Sequence, residues 1–156
     1  MKFKYSFTLI KRASLTVEKY AARRLAEYDL SPSQAKVMRA LSLVPDRTVR
    51  VVDLQEFFFM THPTVIGILK NLMKKGLVIR TEDPANPRIH YVSLTDKGHA
   101  LTRDLERVAG TIEQDTTKNL TRKERTALIR LLRKMQEPQL TEMEINYFGM
   151  NRKHDS

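Results

Sequence analysis

The stretch from Leu54 to Thr95 limits this chain more than any other part of it. It opens with LQEFFFM, continues as THPTVIGILKNLMKKG and ends in LVIRTEDPANPRIHYVSLT. The first segment predicts a brief helix over 53 to about 59, with Leu54, Phe57 and Phe58 on its buried side and Phe59 and Met60 at a turn. The three phenylalanines read as packing between helices, with an aromatic ligand site as the alternative. A second helix starts at Thr61 as N-cap, tolerates Pro63 in its first turn, and stops at Gly76 as C′ residue. Val65, Ile68, Leu69 and Leu72 recur at helical spacing as its buried stripe. Leu77-Val78-Ile79 and Ile89 to Leu94 then form a two-stranded ribbon around an exposed tip, TEDPANPR. The result is a helix-turn-helix with a β wing, a shape suited to lying on duplex DNA.

His62, Thr64, Ile66, Gly67, Lys70, Asn71, Lys74 and Lys75 are left on the face turned outward or sideways from that stripe. Small or weakly polar residues at its N-terminal end suit a major groove, Ile66 being placed for a thymine methyl. The late lysines suit flanking phosphates. Arg80 and Arg88 flank the wing tip, where an arginine fits the negative potential of a narrow minor groove. An exposed loop also carries arginine for solubility; the preceding helix-turn-helix favours the DNA role.

The flanks read as a frame. Residues 3 to 28 predict a helix with Phe3, Phe7, Ile10, Val17, Ala21 and Leu25 in one row. Its Lys11, Arg12, Lys19, Arg23 and Arg24 read equally as a solvated face or as phosphate contacts. Ser31, Pro32 and Gln34 spell a capping box for a second helix burying Val37, Met38 and Leu41 and ending before a Pro45-Asp46 turn. Residues 49 to 52 predict a very short strand or a lead into the next helix. After the wing, Thr95 caps a helix to about Asn119, with Leu101, Leu105, Val108 and Ile112 inward. Thr121 and Glu124 start a last helix to Gln136 that buries Leu128, Leu131, Leu132 and Met135. These helices exceed what a small winged domain needs as cover, so a dimer interface is expected. In the tail from Pro138, Ile145, Tyr147 and Phe148 are placed to dock weakly, with 151–156 expected to be disordered.

Composition narrows the partner. A net charge of +10 on 156 residues favours nucleic acid first and an anionic membrane second. No apolar run approaches the ~18 residues of a membrane span, and the N-terminal segment is too charged for a secretory signal. The absence of cysteine excludes disulfides and thiolate metal sites and suits a cytoplasmic location. His62, His90, His99 and His154 are scattered, without paired ligand spacing, so no metal is expected. No phosphate loop or nucleophile motif points to an enzyme, and no cofactor is expected.

The segments LSPSQAKVMRAL, DLQEFFFMTHPTVIGILKNLMKKGLVIR, DPANPR and VSLTDKGHAL, in this order, resemble the MarR family of bacterial winged-helix transcriptional regulators. The resemblance covers roughly residues 5 to 136. It implies one mainly α domain over 1–156 with a small β-ribbon. Within it, a winged helix-turn-helix spans 30–95, helical dimerisation segments span 1–28 and 96–136, and a C-terminal tail spans 137–156. It further implies a homodimer on double-stranded DNA with an inverted repeat, acting as a repressor and released by a small aromatic or drug-like effector. Thr61 to Lys75 matches the recognition helix, Pro63-Thr64 its usual start, Asp83-Pro84 the lead-in to the wing, and Arg88 the wing arginine. Three departures stand out. Asn86 replaces an acidic brace for Arg88, Phe59 stands where glycine is usual, and Gly67 where arginine is common. The other readings are a winged-helix protein-interaction module without specific DNA binding, or a metal-responsive regulator.

Overall fold

Side-chain caps start three of the six described α-helices. The computed structural model describes residues 4–44 and 48–136. Phe3, the Pro45-Asp46 turn, His154 and the tail residues Ile145, Tyr147 and Phe148 therefore lie outside the described residues. Helix α1 (Ser6–Leu25) runs into a 3-10 turn (Ala26–Tyr28) that ends at Asp29 in the left-handed region. Helix α2 (Pro32–Leu43) begins with the expected capping box. The Ser31 hydroxyl accepts from Gln34 N–H, and Gln34 Oε1 accepts from Ser31 N–H.

The 49–52 segment fulfils both of its readings, as strand and as helix start. Thr48–Arg50 forms β1, and α3 begins at once, as Val51–Phe58, two residues earlier than expected. Arg50 pairs with Asp53 in the first turn of α3, at 2.7 and 2.9 Å. Helix α4 (His62–Lys74) follows, then β2 (Val78–Glu82) and β3 (His90–Leu94). β3 lies between β1 and β2 in a three-stranded antiparallel sheet. Strand β2 is longer than the Leu77-Val78-Ile79 run suggests, because Arg80, Thr81 and Glu82 pair with Val92, Tyr91 and His90. The described residues, mostly helical, end with α5 (Asp96–Thr117) and α6 (Arg122–Gln136).

Met38, Leu41, Leu54, Val65, Leu69, Leu72 and Val92 make a core between α2, α3, α4 and the sheet. Leu25 and Leu105 extend it to α1 and α5, which Arg24 and Asp115 also link by an exposed ion pair at 2.8 Å. The dominant stabilising term is burial of these side chains, each contributing about 1.5–3 kcal/mol.

Two expectations about burial are corrected. Helix α6 does not bury its leucines within this chain: Leu131 and Met135 are 50% and 64% exposed, and Leu128 is also exposed. Among the described residues, no side chain of α6 is buried. Phe59 is not core either. Phe57 and Phe58 are half-buried and meet edge to face with centroids 4.5 Å apart, whereas Phe59 is 93% exposed.

Phe59 terminates α3 with φ +51°, a left-handed conformation that costs an L-residue about 1–2 kcal/mol. Glycine would remove that strain against an unfolded-state entropy of about 0.5–1 kcal/mol. Phe59→Gly is therefore expected to leave the thermal midpoint unchanged or slightly raised. A drop matching the ~3–5 kcal/mol of a deleted core phenylalanine would show that the ring is covered.

Candidate nucleic-acid interface

Helix α4 is held from beneath by Val65, Leu69 and Leu72, all buried, which turns its other side outward. Thr61, His62, Pro63, Thr64, Gly67, Lys70, Asn71 and Lys74 are exposed there. A Cβ added to Gly67 would meet nothing within 4 Å, so this part of the surface is open backbone. Ile66 takes the sideways position of the two expected for this face. It is half-buried and packs against the core, leaving Gly67 and its polar neighbours as the outer surface.

At the start of α4, Thr61 is the N-cap residue with extended backbone, as expected, but its side chain makes no capping hydrogen bond. Its Oγ1 lies 2.9 Å from Thr64 Oγ1 instead. His62 Nδ1 lies 2.9 Å from Gln55 Oε1, tying α4 to α3 across the turn. At the other end Gly76 takes φ +71°, the left-handed C′ conformation glycine adopts without strain.

The cations divide into two groups. Among the described residues, Lys70, Lys74, Arg80 and Arg88 form no ion pair, and all four are exposed. Lys75 is half-buried and turned toward the α1–α2 junction. Its amino group donates to the Asp29 carbonyl and to Gln34 Oε1 (3.3 Å), and it lies 3.5 Å from the Asp29 carboxylate. Its own carbonyl accepts from Lys97 Nζ at 2.9 Å. Lys75 thus braces the end of α4 in the framework. Sequence reasoning grouped it with Lys74 because nothing local marks a partner 46 positions away.

The wing is tightly organised. Asp83 N–H donates to the Ile89 carbonyl at 2.9 Å, closing the loop between β2 and β3. The Asp83 carboxylate accepts from Ala85 N–H (2.8 Å), Asn86 N–H (3.1 Å) and Tyr91 Oη–H (3.1 Å). The Ala85 N–H, then the Tyr91 hydroxyl, hold this carboxyl below its usual range. A lowered carboxyl pKa means that its contribution is present above the unfolded value and is lost as pH falls through the folded one. The tip therefore keeps its hydrogen bonds through neutral and mildly acidic pH. The same bond pushes the Tyr91 phenol up. Asp83 was legible only as a lead-in; its Asx-turn spacing to Ala85 and Asn86 was the available signal, whereas Tyr91 needed the strand register.

Among the described residues, no group of three His, Cys, Asp or Glu side chains is placed to hold a metal ion. No helix among them is long and apolar enough to cross a membrane.

A recognition-type helix, its helical support, an arginine-bearing wing and cations that form no ion pair among the described residues define a winged helix-turn-helix, an architecture suited to duplex DNA. The sequence pattern of the MarR family matches residues 28–89. The chain is 30% identical over 107 residues to the transcriptional regulator HosA of Escherichia coli O111:H-, covering 69% of this chain and 78% of that one. The chain belongs to the MarR family, whose members regulate transcription and are not enzymes. A mutant of E. coli MarR complexed with operator DNA superposes with a TM-score of 0.73 at 26% identity, over 82% of this chain and 91% of that one. Bordetella bronchiseptica BpsR, described in terms of regulation of its DNA binding by 6-hydroxynicotinic acid, superposes with a TM-score of 0.75 at 28% identity, covering 88% and 97%.

Proposed function

We propose that this regulator acts as a cytoplasmic homodimeric repressor of an inverted-repeat operator in double-stranded DNA. The observation that carries the reading is the open side of α4 followed by a hydrogen-bonded wing, bearing Lys70, Lys74, Arg80 and Arg88 without ion-pair partners among the described residues. Two copies of α4 at about 34 Å would enter successive major grooves, one per half-site. Residues Thr61 to Lys74 position and read there, and Arg88 enters the adjacent minor groove with Arg80 behind it. The segments 1–28 and 96–136 form the dimerisation region. The operator complex of the MarR relative supports the DNA role. The 6-hydroxynicotinic acid regulation of BpsR supports release by a small aromatic ligand.

Selection of bound fragments from the source genome, followed by affinity measurement over a salt series, tests this reading. An inverted repeat should be enriched, with affinity falling steeply as salt rises and a wide gap to non-specific duplex. Arg88→Ala should weaken that binding by about tenfold or more without altering dimerisation. Enrichment of no duplex over bulk DNA overturns the regulator reading in favour of a protein-interaction module. Unchanged affinity in Arg88→Ala removes the wing from the interface.

A further inference from the structure

Asn86 cannot supply the carboxylate that the family resemblance places two residues before the wing arginine. The tip DPANPRI is instead two consecutive turns sharing Asn86. Asn86 N–H donates to the Asp83 carbonyl at 3.2 Å, and Ile89 N–H donates to the Asn86 carbonyl at 2.9 Å. Each turn has Asx at its first position and proline at its second, where the ring pre-sets φ. Each first residue also caps its own turn through its side chain. Asp83 Oδ1 accepts from Ala85 and Asn86, and Asn86 Oδ1 accepts from Arg88 N–H at 3.1 Å. Pro84 and Pro87 have no N–H, so every backbone N–H from 83 to 89 is satisfied within the loop. Tyr91, paired with Thr81 on β2 and Arg50 on β1, anchors the carboxylate to the sheet.

We propose that Asp83 and Asn86 are positioning residues for Arg88: their side chains lock the tandem turns and present the arginine to DNA in a pre-formed orientation. This rests on the DNA-binding reading above and adds how the wing achieves affinity without the acidic brace. Pre-organisation removes an ordering cost from binding, so loosening the loop weakens the complex although no DNA contact is deleted. Charge alone predicts the opposite sign for Asp83, since removing an anion beside a phosphate backbone strengthens attraction.

The test uses the full chain and a fluorescent duplex selected by the wild-type protein from a random 30-base-pair pool, with four proteins in a cycle: wild type, Asp83→Ala, Arg88→Ala and the double variant. Asp83→Ala is expected to weaken binding by about tenfold, and by less than about twofold in the Arg88→Ala background, because it acts through Arg88. Asp83→Asn keeps an acceptor while removing the charge, and should stay within about threefold of wild type; Tyr91→Phe should lose about threefold. Tighter or unchanged binding by Asp83→Ala, with Arg88→Ala still weakened, overturns the positioning role and leaves the wing reading intact. An equal loss in both backgrounds also overturns it, showing general damage. Failure of the pool to yield any preferred duplex, or a neutral Arg88→Ala, overturns the DNA or wing reading itself and this inference with it.

Discussion

Gly98→Ala is expected to lower the thermal midpoint by roughly 10 °C, from a net loss of about 3 kcal/mol by overpacking. An ideal Cβ at Gly98 would lie 2.1 Å from the Leu77 carbonyl oxygen and 3.2 Å from Leu94 Cδ2. The carbonyl cannot swing aside freely, because it accepts from Thr95 N–H at 3.1 Å. Thr95 Oγ1 meanwhile donates to the Gly76 carbonyl at 2.6 Å and accepts from Gly98 N–H at 3.0 Å. Relief therefore requires α5 to move from the end of α4, and with it the placement of the reading helix. Gly110 supplies the control: it lies in the same helix with nothing within 4 Å of an added Cβ. Gly110→Ala should gain up to about 1 kcal/mol from helix propensity. Opposite signs for two identical substitutions in one helix isolate the contact. A Gly98→Ala melt coinciding with wild type would show that the close approach is absent.

Deletion of residues 3 to 20 is expected to convert a dimer into monomer or insoluble protein, read by sedimentation velocity. Helix α1 leaves Phe7 and Leu15 68% and 54% exposed, and α6 leaves Ile129, Leu131 and Met135 uncovered. Apolar area kept in water forgoes about 25 cal/mol per Å², and stable homodimer interfaces commonly exceed about 2,000 Å². A paired substitution, Leu131→Glu with Met135→Glu, guards against insolubility of the truncation. It charges the same uncovered side of α6 and should give a soluble monomer. Normal dimers from both proteins would refute the interface proposal.

The contrast between local and distant determinants explains what could be read early. Ser31, Pro32 and Gln34 identified the start of α2, Thr95 that of α5, and Thr121 with Glu124 that of α6; all three helices begin where these residues indicate. Gly76 marked the end of α4 for the same reason: φ, N–H supply and reach across one turn belong to consecutive residues. Four other features depended on neighbours far along the chain. Val51 began α3 while β1 found its partner in β3 across the wing. Ile66 packed against the core, Lys75 found Asp29, and α6 found no cover for its leucines among the described residues.

The sequence by itself determined the order of the helices, the helix-turn-helix with its wing, and the excess of cations that directs it toward an acidic partner. Periodicity, caps, prolines and net charge are properties of residue type and short spacing, so they survive without coordinates. Only the tertiary structure decided which cations form no ion pair among the described residues, that Phe59 stands out in solvent with a left-handed backbone, and that Asp83, Asn86 and Tyr91 hold the wing. Those outcomes follow from strand register and helix packing, which bring residues separated in the chain within hydrogen-bonding distance.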